Sequence, residues 1–88
     1  MSRYETTAIL PSGQLAEAAY GFDEAFGYFI QVFDPSDPDG GDDEVSLIVD
    51  EDSLFTGLGN YKLLALIDQY HLPIPKDHRD KIGGDWPV

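Results

Sequence analysis

The sequence predicts an α+β fold, in which a three- or four-stranded antiparallel sheet is followed by one or two C-terminal helices packed on one face. Two observations support this. Residues 1–52 contain short runs of β-branched and aromatic residues separated by turn signals, whereas residues 53–88 carry apolar residues at helical spacing. A chain of 88 residues can build one hydrophobic core, so residues 1–88 should form a single small domain.

The first predicted strand covers residues 3–10. The run "RYETTAI" is rich in β-formers and places Tyr4, Thr6 and Ala8 on one face. The sequence "PSG" at residues 11–13 is a turn signal that ends this strand.

The next run, "QLAEAAYGFDEAFG", has two interpretations. Its Leu, Ala, Glu and Gln content favours a short helix at residues 14–20. In contrast, Ala16, Ala18, Tyr20 and Phe22 recur at every second position, and Gly21 inside a helix would cost ~1 kcal/mol. We predict a strand over residues 15–22 and keep the helix as the alternative.

The run "YFIQVFD" at residues 28–34 gives the strongest strand signal, because it is dense in aromatic and β-branched residues and is closed by Pro35. Its expected partner is "EVSLIVD" at residues 44–50, across an acidic connection. Residues 1–52 would then be an acidic β part with a loop at residues 34–44.

Residues 53–88 form the predicted helical part. The stretch "SLFTGLGN" has the character of a turn or loop with some helical tendency. It is followed by "NYKLLALIDQYH", which repeats apolar residues at helical spacing and has Asn60 as its expected N-cap. The prolines of "LPIP" end this helix, and Pro75 opens a second short one through "KDHRDKI", stopped by Gly83 and Gly84.

The charge is large and unevenly distributed. Five Lys plus Arg stand against 17 Asp plus Glu, for a formal net charge of -12. Between Tyr4 and Tyr61 there are thirteen acids and no Lys or Arg, whereas the C-terminal part is locally neutral. Such a field repels nucleic acid and anionic membranes and accelerates encounter with basic partners. We therefore expect no direct binding to nucleic acid or membrane.

Composition also bears on the cellular compartment. The chain has no cysteine, which excludes disulfides and thiolate metal sites. The N-terminal "MSRYETTAIL" has no long apolar run and resembles neither a signal peptide nor a membrane span. We expect a soluble, cytoplasmic protein.

The segment "DPSDPDGGDDE" at residues 34–44 has six carboxylates in eleven residues. Hard cations favour such oxygens, but the spacing does not fit a calcium loop. A loop that starts at Asp34 places Ser36 and Pro38 where acids are needed, and a loop with Gly40 sixth begins at Pro35. A solvated hairpin connection is the favoured interpretation.

Other motif fragments have ordinary explanations. "HRD" at residues 78–80 lacks the rest of the kinase catalytic loop, and "GLG" at residues 57–59 lacks the third glycine of a dinucleotide cradle. His71 and His78 are each expected to cap a helix end rather than bind zinc. A carboxylate pair such as Glu51 with Asp23 is conceivable, but nothing selects it over other pairs. We predict no enzymatic activity, no metal and no cofactor.

The segments "AYGFDEAFGYFIQVFDP" and "KLLALIDQYHLP" carry a resemblance. Through "YGFD", "QVFD" and overall length, the chain resembles short uncharacterised acidic proteins of bacteria and their plasmids or other mobile elements. The resemblance covers about half of the chain and implies a compact module to which no functional residue can be transferred. Small acidic proteins of mobile elements include inhibitors that occupy nucleic-acid channels of host defence complexes, as DNA mimics and anti-CRISPR proteins do.

These observations favour a non-enzymatic module whose acidic face binds a basic protein surface. An extended 34–44 segment presents one charge per ~6 Å, against one per ~3.4 Å in a nucleic-acid strand, so mimicry needs further acids beside it. The hairpin layout permits the 23–24 turn and the 50–52 strand end to supply them. The predicted partner-binding residues are Asp23, Glu24, Asp37, Asp39, Asp42, Asp43, Glu44, Asp50, Glu51 and Asp52. The alternative is that charge serves solubility and that "YFIQVFD", Trp86 or the Tyr61/Tyr70 region makes an ordinary apolar contact or homodimer.

Overall fold

Strands come first and helices second in the part of the chain that the structure describes. A computed structural model describes residues 2–35 and 47–88. Its elements are β1 (Tyr4–Ile9), β2 (Leu15–Asp23), β3 (Gly27–Phe33), β4 (Leu47–Asp52), α1 (Asn60–Gln69) and α2 (Lys76–Gly83). The strands form one antiparallel sheet in the order β1-β2-β3-β4. The predicted α+β fold is confirmed, with the four-stranded form of the sheet.

Residues 15–22 lie within strand β2, so the strand prediction is confirmed and the helical alternative at residues 14–20 is wrong. Ala16, Ala18 and Tyr20 point into the core, and each is at most 3% exposed. Strand β2 is central, because Ala18 lies opposite Thr6 of β1 and opposite Val32 of β3. Helix propensity differs among ordinary residues by at most ~0.7 kcal/mol each, which two hydrogen-bonded ladders and one buried face outweigh.

The hydrophobic core lies on one face of the sheet, beneath the helices. Its largest fully buried side chains are Tyr20, Ile30, Leu58, Leu63, Ile67, Ile82 and Val32. Side chains alternate between the two faces of a strand, so the positions between the core residues point the other way. Thr7, Glu17 and Asp50 are examples, and they are exposed. We call this solvent-facing side of the described strands the open face.

The helices begin and end close to the predicted positions, but the predicted N-cap of α1 is wrong. Gly59 occupies the N-cap position, and no side chain caps the N-terminus of α1. The Asn60 side chain instead donates a hydrogen bond from Nδ2 to the carbonyl oxygen of Ile82, at 3.0 Å. The Arg79 guanidinium also bonds the Asp68 carboxylate of α1 at 2.9 Å. Polar contacts therefore join α1 to α2 at both ends of their interface.

Three tyrosines of the sheet anchor the C-terminal part. The Tyr20 hydroxyl and the Nδ1 atom of His78 share a hydrogen bond of 2.6 Å, and the Tyr4 ring lies 4.3 Å from the His78 ring, centroid to centroid. The Tyr4 hydroxyl donates to a backbone oxygen of Val88 at 2.6 Å, and the Tyr28 hydroxyl to that of Trp86 at 2.7 Å. His78 thus contacts the sheet, and the prediction that it caps a helix end is wrong.

His71 is consistent with its predicted place at a helix end. It follows α1 with a backbone φ of 54°, in the left-handed region where helices commonly terminate. The backbone N–H of Leu72 then bonds the carbonyl of Ile67 at 2.9 Å. This turn directs Leu72 back into the core, where it is 4% exposed.

The buried tyrosines predict a loss of stability at alkaline pH. Burial raises the pKa of Tyr20 from 10.0 to about 12, with smaller contributions from Tyr4 and Asp77. Burial also raises the pKa of Tyr28 from 10.0 to about 12, and Asp85 adds to it. Because the folded state keeps these protons after the unfolded chain has lost them, the free energy of unfolding should fall from pH 10.0 to about 12. Urea denaturation across this range measures it.

Two tyrosine variants provide the control for this prediction. Tyr20→Phe should reduce the pH dependence, because one of the two shifted groups is gone. Tyr61→Phe is the matched control, because it removes the same hydroxyl from a ring that is 75% exposed. An equally steep fall in Tyr20→Phe and in the parent protein would contradict the assignment to Tyr20.

The turn between β2 and β3 requires glycine at residue 27. Gly27 has a φ of 78°, and a Cβ atom there would lie 2.5 Å from the Cβ of Ser53. Gly57 has a similar φ of 71° but no atom within 4 Å of the equivalent position.

Alanine at Gly57 should cost about 1–2 kcal/mol for backbone strain. Alanine at Gly27 should cost a further ~1–3 kcal/mol for the crowding against Ser53. Thermal or urea unfolding distinguishes the two, and equal losses would show that Ser53 yields without cost.

Candidate functional site

The structure describes five of the ten predicted partner-binding acids. Asp37, Asp39, Asp42, Asp43 and Glu44 lie outside the described residues, as does most of the stretch considered as a calcium loop. The five that are described are Asp23, Glu24, Asp50, Glu51 and Asp52. The candidate site is built from these five and from the side chains around them.

Four of these acids line one concavity at the end of the sheet. Its volume is about 200 Å³, and its lining residues are Asp23, Phe26, Phe29, Gln31, Asp50, Glu51 and Asp52. We call it the acidic notch. The register brings them together, because Asp23 pairs with Gly27 at the start of β3 and Asp52 pairs with Phe29 at the end of β4. The 23–24 turn and the 50–52 strand end therefore lie close together, as the predicted hairpin layout permits.

The notch lies away from the points where the chain leaves β3 and enters β4. Phe33 and Leu47 form the last pair of the β3–β4 ladder, and Phe29 and Asp52 form the pair at the notch end. Four residues separate the two ends along β3, or ~13 Å at ~3.3 Å per residue. The notch is thus defined by the sheet itself and by the β2–β3 turn.

Two of the notch carboxylates hold turns. Oδ1 of Asp23 accepts hydrogen bonds from the backbone N–H groups of Ala25 at 2.7 Å and Phe26 at 3.2 Å. Oδ1 of Asp52 accepts one from the N–H of Phe55 at 2.5 Å. Aspartate is frequent at such positions, because its short side chain reaches the backbone two or three residues later. These residues therefore have a structural role in addition to their charge.

The other acids differ in how their charge is compensated. The Lys62 ammonium lies 2.5 Å from Oε1 of Glu51, so this carboxylate is paired with α1. The side chains of Glu24 and Asp50 make no hydrogen bond or ion pair with any residue in the ranges 2–35 and 47–88. Asp50 is therefore the uncompensated carboxylate inside the notch.

A second concavity occupies the open face of the sheet. It has a volume of about 380 Å³ and is lined by Arg3, Glu5, Thr6, Thr7, Glu17, Ala18 and Phe33. Glu5 and Glu17 were not among the predicted partner-binding residues. The alternation of side chains along β1 and β2 could have identified them, because each lies between two inward-facing positions.

Arg3 crosses the open face between the two concavities. Its guanidinium donates a hydrogen bond to the Gln31 side chain at 2.9 Å and lies 6.0 Å from the centre of the Phe29 ring. The positions of β2 that lie opposite Gln31 and Phe29 are Ala19 and Gly21, whose small, buried residues leave room for the Arg3 side chain to cross. Arg3 also lies 3.9 Å from the Glu5 carboxylate. The open face can therefore accommodate a guanidinium beside an aromatic ring and a carboxylate.

Large apolar side chains are exposed near the notch. Phe26 is 41% exposed and Phe55 is 75% exposed, and their ring centroids are 5.7 Å apart. Leu54, beside them, is 59% exposed. Elsewhere Tyr61 is 75% and Trp86 67% exposed, whereas Tyr70 is partly buried. The sequence does not distinguish Phe26 and Phe55 from core phenylalanines, because their exposure depends on the turns that carry them.

Neither a metal-binding cluster nor a membrane-spanning helix is present in the described ranges. Across residues 2–35 and 47–88, no three His, Asp or Glu side chains are grouped so that they could hold a metal ion. Neither helix of these ranges has the length and apolar character needed to cross a bilayer.

Comparison with protein-family models, curated proteins and solved structures finds no match to this chain. The chemistry of the described surface is therefore what indicates a function.

The two kinds of acid predict different effects of substitution. Asp52→Ala removes a hydrogen bond between a carboxylate and a backbone N–H, and should lower the free energy of unfolding by about 1–2 kcal/mol. Asp50→Ala removes no such bond, so its effect should stay within about 0.5 kcal/mol. Urea denaturation of both variants measures the difference. Equal stabilities would contradict a turn-holding role for Asp52.

Proposed function

We propose that this protein is a non-enzymatic binding module whose open face and acidic notch contact a basic surface of a larger protein. The observation that carries the proposal is the spatial separation of charge. Glu17, Glu24 and Asp50 are exposed and have no ionic partner among the described residues. In contrast, three of the bases contributed by the helical part are paired, in Lys62–Glu51, Lys76–Asp80 and Arg79–Asp68.

The net charge selects the class of partner. A charge of -12 repels other polyanions, including a second copy of the chain, and attracts surfaces rich in Lys and Arg. Complementary charge chiefly raises the association rate and the specificity, and both effects weaken with added salt. A basic protein surface is therefore the partner that the charge favours, and the cytoplasm is the compartment in which we place the encounter.

The basic surface that we propose is a nucleic-acid-binding groove, which the protein would occupy as an inhibitor. Asp50 and Asp52 are two residues apart on β4, which separates them by ~6.7 Å along the strand. This spacing gives about half the charge density of a nucleic-acid strand. A phosphate-like array therefore also requires Glu5 and Glu17 across the sheet and the acids of residues 34–44. The resemblance to acidic proteins of mobile elements supports the same interpretation.

A binding role also fits the dimensions of the surface better than a catalytic one. The two concavities have volumes of about 200 and 380 Å³ and lie at the surface. Small-molecule sites begin at roughly 300 Å³ and bury most of the ligand, so the notch is below this range, and the larger concavity reaches it but lies on the exposed face of the sheet. The buried tyrosines Tyr20 and Tyr28 bond His78 and the backbone of Trp86, so they are engaged in holding the fold.

A second candidate function rests on the exposed aromatic residues. Phe55, Tyr61 and Trp86 are each at least 67% exposed, which is unusual for side chains of this size. In this alternative, charge confers solubility and the aromatic residues form an ordinary apolar contact or homodimer. Sedimentation at high salt tests it, because screening removes the repulsion between copies and leaves apolar association intact.

Two charge-matched variants test the proposed function. The first replaces Glu5, Glu17, Glu24 and Asp50 by their amides, and the second replaces Asp68, Asp77, Asp80 and Asp85 by asparagine. Both change the net charge equally. Only the first should slow association with a partner captured from the native host, by about tenfold at low salt and less at high salt.

Competition with nucleic acid tests the finer part of the proposal. The protein should displace duplex DNA or RNA from the captured partner, and the first variant should do so less effectively than the second. An equal loss of displacement in both variants would show that only the net charge matters. Binding that is independent of salt and of either set of substitutions would favour the apolar alternative.

A further inference from the structure

The strongest unexplained feature outside the core is the exposed pair formed by Phe26 and Phe55. Phe26 lies in the β2–β3 turn, and Phe55 lies in the loop after β4. Their ring centroids are 5.7 Å apart with the planes inclined by 34°. Exposed aromatic side chains with few rotatable bonds are the residues that most often dominate protein interfaces.

Backbone contacts hold the two rings in position. The N–H of Leu54 bonds the carbonyl of Phe26 at 3.0 Å, and the N–H of Ser53 bonds the carbonyl of Tyr28 at 2.9 Å. The Asp23 and Asp52 carboxylates hold the two turns that carry the rings. An occupant therefore meets an arrangement that is already formed, and little ordering entropy is lost on binding.

The surroundings of Phe26 indicate the chemistry of the occupant. Phe26 and Phe29 line the acidic notch together with Asp23, Asp50 and Asp52, and with Glu51, whose carboxylate is paired with Lys62. The other base beside the lining residues, Arg3, is directed to Gln31 and Phe29 and makes no ion pair with Asp50. An apolar occupant would remove Asp50 from water without offering a hydrogen bond, which is unfavourable. An acidic occupant would be repelled. The occupant must therefore be cationic, with an apolar or planar surface for the rings.

Arginine fits these requirements better than lysine. The guanidinium is planar, is weakly hydrated, stacks on aromatic rings and donates to a carboxylate through a rigid fork. The notch volume of about 200 Å³ is smaller than a typical small-molecule site and suits one side chain. On the same face, the chain's own Arg3 already lies 6.0 Å from the Phe29 ring centre while bonding Gln31.

We propose that the acidic notch, lined by Phe26 and Phe29 and extended by Phe55 against Phe26, receives an arginine side chain of the basic partner. This inference depends on the proposed function and specifies its contact. Asp50 accepts the guanidinium hydrogen bonds, and the rings cover its face. Asp23 and Asp52 contribute their negative charge while they continue to hold the turns.

The experiment titrates the isotope-labelled full chain with an oligoarginine peptide and an oligolysine peptide of equal length, at low salt, and follows backbone amide shifts by NMR. We expect oligoarginine to bind about fivefold more tightly, because lysine lacks the stacking and the bidentate geometry. The shifts should concentrate on Phe26, Phe29, Asp50 and Phe55.

Matched variants locate the contact. Phe26→Leu keeps an apolar side chain in place and should abolish the preference for arginine over lysine. Asp50→Asn should weaken oligoarginine binding more than Glu17→Gln, which makes the same charge change on the open face outside the notch. The spectra of the unbound variants report whether each one is folded.

The outcomes separate this inference from the proposed function. Equal affinity for the two peptides, with equal effects of Asp50→Asn and Glu17→Gln, would overturn the arginine site and leave general acidic attraction in place. No binding of either peptide at low salt would overturn both. Shifts centred on Tyr61 and Trp86 would overturn the arginine site and favour the apolar alternative.

Discussion

One-sided burial is the constraint on which the rest of this structure depends. The described helices cover one face of a four-stranded sheet, and the large core side chains of the strands, such as Tyr20 and Ile30, point to that face. A chain of 88 residues has enough apolar residues for one such layer. The open face is consequently composed of the residues that alternate with the core, and these include carboxylates and partly exposed phenylalanines.

Because of this constraint, charge that is unevenly distributed along the sequence is also unevenly distributed over the surface. Glu5, Glu17 and Asp50 lie between inward-facing positions on three different strands, so all three reach the open face. The bases of the helical part lie on elements that also supply acids. Lys76 and Arg79 are paired with acids of the helices, and Lys62 is paired with Glu51 of β4. The uncompensated negative charge is therefore concentrated where no described helix can cover it.

The carboxylates of the candidate site are not equivalent, although they look alike in the sequence. Asp23 and Asp52 hold turns, Glu51 is paired with Lys62, and Asp50 has no ionic partner among the described residues. The turn-holding acids also place Phe26 and Phe55 in contact, because both rings are carried by those turns. The residues that shape the local backbone thus also create the juxtaposition of rings and charge on which the arginine proposal rests.

The sequence by itself determined the α+β class, the order of strands and helices, and the second helix between Pro75 and Gly84, since these follow from local periodicity and from proline and glycine geometry. Whether residues 14–20 form a strand or a helix, and what Asn60 and His78 contact, depends on partners that are distant in the chain. Only the tertiary structure decided between the strand and the helix and showed that neither side chain caps a helix. It decided as well that Asp23 and Asp52 meet at one notch and that Phe26 stays exposed, because strand register brings together residues that no local pattern connects.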